Sequence, residues 1–183
     1  MTSSAAGAGR THGRLEGRRA LITDGASRLG REVSLAFAKE GADLAIGYSS
    51  DDPDATEVTG ALARAAGAHV VLLPGDLRDE GVCRDVVDRA ADRLGGLDTL
   101  VMIERVARSN LSTLRWLSRA TLAHFRAGSA IIATSPLAPS AIMTPAFLQR
   151  MRRHGVRMRG IAPGLAASHP GRVTDLYVEL AAR

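Results

Sequence analysis

Seven residues, Asp24-Gly25-Ala26-Ser27-Arg28-Leu29-Gly30, have the types and spacing of a turn that holds phosphate. Small residues let a backbone approach a pyrophosphate, and the start of a following helix offers N–H groups to an anion. The turn follows a short apolar run, Ala20-Leu21-Ile22-Thr23. It leads into an amphipathic stretch, Arg31 to Glu40, with Val33, Ala36 and Phe37 on one face and Gly41 as its stop. Ala42 to Ile46 is the next apolar run. The pattern is a βαβ unit, and its expected ligand is a dinucleotide. The turn also carries a carboxylate, Asp24, where that ligand would sit.

Other reactive side chains are scattered. His124, Glu104 and Asp98 are candidate acid–base groups, although each lies at an element end or on a loop, where a structural role is the simpler reading. The five histidines show no metal-ligand spacing, so no metal is expected. Cys83 falls among helix-spaced valines and reads as packing rather than as a reactive thiol, and Trp116 reads as core or interface. Arg150, Arg152, Arg153, Arg157 and Arg159 form the best basic cluster. It lacks interleaved aromatics, so a solvated helix end is favoured over a nucleic-acid surface.

These groups need a scaffold, and the 183 residues, 45% hydrophobic and 23% charged, suffice for one domain with a real core. The net charge of +5 is carried by arginine, with Lys39 the only lysine. A single cysteine excludes an internal disulfide and fits a reducing cytoplasm. No apolar run reaches the roughly 20 residues of a membrane helix. Residues 1–14 read as a disordered tail and 15–183 as a single domain. Helical periodicity is expected over 55–66 (inner face Val58, Leu62 and Ala65), 79–94, 110–125, 145–154 and about 172–182. Strands are expected at 69–73, 97–103, 130–134 and 156–161. This alternation predicts an α/β fold, a doubly wound parallel sheet of about six strands.

With these segments in place, the chain resembles the short-chain dehydrogenase/reductase family from about Leu15 to Ala182. The resemblance rests on Arg19 to Thr23 with its loop, Pro74-Gly75-Asp76-Leu77-Arg78-Asp79, Gly96 to Val101, Ile161-Ala162-Pro163-Gly164, and residues 171–182. It implies a Rossmann-like fold and an NADP or NAD site. That site would comprise Thr23, Gly25, Ser27, Arg28, Leu29, Gly30, Asp76, Leu77, Pro163, Gly164 and Ser168. Asn110 and Ser135 match parts of the family's proton relay. The family's usual seventh strand and most of its substrate loop are expected to be missing.

Departures from the family pattern are equally specific. Its carbonyl reduction uses a Tyr-x-x-x-Lys pair and a Ser. A tyrosine hydroxyl with an ordinary pKa near 10 needs a nearby cation to serve at neutral pH. The only tyrosines here, Tyr48 and Tyr177, have no lysine four residues on. Pro136 falls on the catalytic serine position, with Ser135 one place earlier, and a slip of one residue would turn Ser135 to the other sheet face. Met102-Ile103-Glu104-Arg105 replaces the small residues beside the cofactor ribose.

Three alignments of the phosphate turn stand open. Without gaps, Asp24 and Arg28 replace the first two motif glycines. A carboxylate about 4 Å from a phosphate costs on the order of 4 kcal/mol at an effective dielectric of 20, roughly a thousandfold in affinity. With Asp24 as an insertion, Arg28 would meet a 2′-phosphate and favour NADP. In the third, Asp24 caps the first helix and fills the anion site itself. The favoured expectation is a non-catalytic or vestigial homologue acting as a regulatory partner, as a homo-oligomer or with an intact relative, through the Asn110 and Pro145 helices. Alternatives are an NADP-dependent oxidoreductase with an atypical proton donor and a non-redox enzyme (isomerase, dehydratase or cyclase) reusing the pocket. A membrane or nucleic-acid partner is not expected.

Overall fold

The computed structural model describes residues 13–49, 53–103, 111–135, 143–162 and 170–182. The expected residues Glu104, Asn110, Pro136, Pro163, Gly164 and Ser168, and nearly all of the expected tail, lie outside the described residues. The described elements are β1 (Arg19–Ile22), α1 (Arg28–Lys39), β2 (Asp43–Tyr48), α2 (Pro53–Ala65), β3 (Val70–Pro74) and α3 (Glu80–Leu94). They continue as β4 (Thr99–Met102), α4 (Leu111–Thr121), β5 (Ala130–Thr134), α5 (Pro145–Arg153), β6 (Arg157–Ile161) and α6 (Pro170–Ala182).

All strands pair in parallel, in the order β3-β2-β1-β4-β5-β6. Their apolar runs follow from this, because a parallel sheet covered by helices is buried on both faces. One face packs Leu21, Leu100 and Ile131 with α3, α4 and Met151 of α5. The other packs Ile22, Val101 and Ile132 with Val33 and Phe37 of α1 and Val173 and Tyr177 of α6. Strand order reverses between β1 and β4, so the crevice at their carboxyl ends is where a doubly wound fold receives a ligand.

The first helix starts three residues earlier than its apolar spacing suggests. Ser27 is its N-cap, the hydroxyl accepting from the Gly30 N–H at 3.0 Å. At the other end of the crevice-forming layer, Asp79 caps α3 through the Val82 N–H, and left-handed Gly95 closes it.

One expected face is wrong. Val58 and Leu62 of α2 are 49% and 45% exposed, and the buried residues are Thr56, Thr59, Gly60 and Ala63. The helix lies too close to the sheet for large side chains. A Cβ at Gly60 would stand 3.1 Å from Leu72, and the Thr59 hydroxyl donates to the Gly25 carbonyl at 3.1 Å. Small residues thus win the inner face against hydrophobicity. Ala63→Leu should cost about 1–3 kcal/mol by overpacking. Leu62→Gln should change stability by less than about 0.5 kcal/mol. Urea unfolding of the two variants checks both.

Candidate functional site

The crevice begins at Thr23, directly after β1. Its N–H donates to the Val101 carbonyl at 3.0 Å, and its hydroxyl accepts from the Ile103 N–H at 3.0 Å. Thr23 therefore stitches β1 to the exit of β4 and is buried there. Met102 and Ile103 are buried at the exit of β4, packed into the core layers on opposite faces of the sheet.

Asp24 follows with φ of 52°, the only non-glycine positive φ among the described residues. That conformation is the one a motif glycine supplies without cost. Asp24 thus holds a backbone shape that a glycine would hold without cost. The third alignment is corrected: Ser27, not Asp24, caps α1. The Asp24 carbonyl accepts from Ser27 twice, from its N–H at 3.0 Å and from its hydroxyl at 2.7 Å.

Two glycines of the turn are demanded by packing. A Cβ at Gly25 would run into the Ile46 side chain, and one at Gly30 would run into the Asp24 carbonyl oxygen. Arg28, in the remaining motif-glycine position, is the first residue of α1. Its side chain is 84% exposed and pairs with Glu32 at 3.1 Å. The first turn of α1 contains no acidic residue. Within it, Gly30 N–H is spent on the cap, leaving the Arg28 and Leu29 N–H groups as orphan donors of a helix start. The donor set fits a phosphate. Asp24, a half-buried residue of the same turn, adds a negative charge that a phosphate does not favour, so the turn fits a dinucleotide only in part.

At the exit of β3, Asp76 is exposed and gripped by its neighbour: the Arg78 Nε donates to Oδ1 at 2.8 Å. The Leu77 carbonyl accepts from the Thr113 hydroxyl of α4 at 2.8 Å and from the Cys83 thiol at 3.2 Å. Sequence spacing did not reveal these ties. Burial, reinforced by Asp79, Glu80 and Asp76, pushes the Cys83 thiol up to about 12, so it packs and does not react.

Ser135 follows β5 and is buried, its N–H donating to the Ile161 carbonyl at 3.0 Å. Successive side chains alternate across the sheet. Ala133 packs with the α3–α4 layer, whereas the Thr134 hydroxyl hydrogen-bonds the Tyr177 hydroxyl of α6 in the opposite layer. Burial raises the Tyr177 pKa above its ordinary value, against a smaller opposing effect of that hydrogen bond. Tyr177 is therefore a core residue on the face away from Ser135. Tyr48 ends β2, two strands across the sheet from β4. Lys39 ends α1, and 12 residues rising about 1.5 Å each put it about 18 Å from the turn.

Neither described acid–base candidate reaches the crevice. Asp98 precedes β4 at the amino ends of the strands and accepts from the Arg19 N–H at 3.1 Å. His124 follows α4 at that same end and sits 2.7 Å from Asp88. Among the described residues no group of three His, Cys, Asp or Glu could hold a metal ion. No described helix is long and apolar enough to cross a membrane.

Residues 18–103 match the model of the short chain dehydrogenase family. The uncharacterized oxidoreductase YhxD of Bacillus subtilis is 34% identical over an alignment 187 residues long, which covers 83% of this chain and 62% of that protein. The chain thus spans less than two thirds of that relative's length. Two solved structures share the fold. A short chain dehydrogenase from Burkholderia cenocepacia in complex with NADP superposes with a TM-score of 0.70 at 24% identity, over 81% of this chain and 74% of that one. Carveol dehydrogenase from Mycobacterium avium in complex with NAD gives 0.69 at 19% identity, over 82% and 71%.

Two substitutions separate the demands of the turn. Asp24→Gly should leave the fold intact and stabilise it by up to about 1 kcal/mol, by relieving the left-handed Asp. Gly30→Ala should destabilise by about 1–3 kcal/mol, because a carbonyl occupies the space. Thermal unfolding followed by circular dichroism measures both.

Proposed function

The chain belongs to the short-chain dehydrogenase family, and on that premise we propose that it is a non-reducing member that acts through a protein partner. One observation carries the reading: the groups able to form a tyrosine–lysine proton relay are dispersed. The only lysine lies at the far end of α1, Tyr177 is committed to Thr134 within the core, and Tyr48 ends β2, three strands across the sheet from β5, which Ser135 follows. A phenol needs a cation within a few ångströms to donate a proton near neutral pH. Neither tyrosine has that lysine.

The nucleotide half of the fold is better kept. An NADP or NAD at this turn would be held by the N–H groups of Arg28 and Leu29 and by the Arg28 guanidinium. Such a cofactor supplies hydride chemistry when bound. Asp24 opposes its phosphates, and Arg78 competes for Asp76, the carboxylate that the family resemblance assigns to the adenine. Both effects favour a weakly held nucleotide whose binding no longer serves turnover.

The test is NADPH consumption by the Asp24→Gly variant at millimolar NADPH with aliphatic and aromatic aldehydes and ketones, between pH 6 and 9. The expected result is no consumption above the protein-free rate. Saturable consumption proportional to protein concentration would overturn the non-reducing reading and favour reduction with an atypical acid.

A further inference from the structure

Several arginines of the chain are answered by carboxylates, as Arg14 is by Glu40, Arg78 by Asp76 and Arg126 by Asp98. Three others, Arg18, Arg157 and Arg159, meet only backbone carbonyls. Arg18 directly precedes β1, and Arg157 opens β6. Both donate to one acceptor, the Gly128 carbonyl ahead of β5, through Nη1 of Arg18 and Nη2 of Arg157, each at 3.1 Å. Two charged heads thus stand side by side on one neutral oxygen. Arg157 also reaches the Leu180 carbonyl near the end of α6 at 3.4 Å, and its Nε is buried with no hydrogen-bond partner. Arg159, two residues on, leaves the same sheet face as Arg157 and Ile161, the face covered by α1 and α6. It is exposed, and its Nη1 donates to the Met158 carbonyl at 3.1 Å. Among the described residues no Asp or Glu forms an ion pair with any of the three.

The carbonyls explain where these side chains go, but a neutral acceptor does not cancel a charge. Burial first, and then the charges of Arg18 and Arg159, lower the Arg157 pKa, so the like charges act on one another. An anion that accepts from two guanidinium groups at once relieves such a cluster. There is room for one: Gly128 has a φ of 89°, and nothing stands within 4 Å of the place its Cβ would take. A phosphate suits the cluster better than a carboxylate, because it brings up to about two negative charges and more acceptor oxygens to three cations. Arg18 and Arg157 are half-buried, which suits one discrete group rather than a nucleic-acid backbone spread over a broad face. The four residues of β1, rising about 3.3 Å each, separate Arg18 from the nucleotide turn.

We propose that Arg18, Arg157 and Arg159 form a second anion site, for the phosphate or pyrophosphate group of a small soluble ligand, at the end of the sheet opposite the nucleotide turn. Arg18 and Arg157 hold the anion between their guanidinium groups beside Gly128, and Arg159 meets it from the solvent side. None of these residues lies in the crevice, so the site stands whether or not the chain reduces a carbonyl.

Calorimetric titration of the full chain with sodium pyrophosphate, at fixed ionic strength in chloride, tests the site. One pyrophosphate should bind per chain, and acetate should not compete. Arg18→Gln and Arg157→Gln should each weaken binding at least about tenfold, and Arg159→Gln at least about threefold. Arg159 bonds only its neighbour's carbonyl, so its variant keeps the test should loss of the Gly128 or Leu180 contact unfold the other two. Arg84→Gln removes an exposed charge near the start of α3 and should change affinity by less than about twofold, since distant surface charges are screened. Absence of pyrophosphate binding, or a loss no larger in the three variants than in Arg84→Gln, would overturn the proposal. So would a loss confined to Arg28→Gln, which would put the anion at the nucleotide turn. Binding of only a single-stranded oligonucleotide, or of only phosphatidic acid vesicles, would overturn it as well.

Discussion

The structure depends on one tight turn, Thr23 to Gly30, which joins the first strand to the first helix at the point where strand order reverses. The turn closes because Gly25 passes the Ile46 side chain and Gly30 lies against the Asp24 carbonyl, where no Cβ fits. It is pinned from three sides. Thr23 bonds Val101 and Ile103 of the neighbouring strand exit, Gly25 N–H bonds the Gly47 carbonyl, and Thr59 of α2 bonds the Gly25 carbonyl. The fold needs this turn whether or not a ligand enters it. That separates the demands of folding from those of binding: Gly25 and Gly30 serve the fold, while Asp24 keeps the backbone shape of a glycine and adds a carboxylate to the turn.

The same separation explains how this fold stands independently of any chemistry in its crevice. Parallel strands buried on both faces, helices capped by Ser27, Asp79 and Thr144, and two apolar layers hold the sheet together. None of those contacts requires a tyrosine–lysine pair. Tyr177 shows the point directly: its hydroxyl is buried and satisfied by Thr134, so it stabilises the contact of α6 with β5 and offers no proton to the crevice. Asp98 and His124 sit at the amino ends of the strands because the residues that precede β4 and follow α4 must lie there in a parallel βαβ fold.

Much of this was legible in the residues. The alternation of apolar runs with amphipathic stretches gave the parallel sheet, because burial on both faces writes itself as continuous hydrophobicity. The missing lysine was legible because it is a count. The inner face of α2 was not, since close approach to the sheet selected Thr59, Gly60 and Ala63 over Val58 and Leu62, a distance effect that hydropathy does not carry. The cap of α1 was readable in principle from Ser27 and its spacing to Gly30, yet the apolar period starts later and hid it. The ties from Cys83 and Thr113 to the Leu77 carbonyl join residues of α3 and α4 to a loop, so local spacing could not announce them.

Asp24 is the residue on which the account turns, and calorimetric titration with NADPH of the natural chain beside Asp24→Gly tests it most directly. The carboxylate is expected to hold natural-chain affinity in the range of hundreds of micromolar or weaker. Its removal should tighten binding by at least about tenfold and at most about a thousandfold, the limit set by roughly 4 kcal/mol of repulsion at contact distance. Micromolar binding by the natural chain, unchanged by the substitution, would contradict the account. It would show that the left-handed aspartate leaves the phosphate site open.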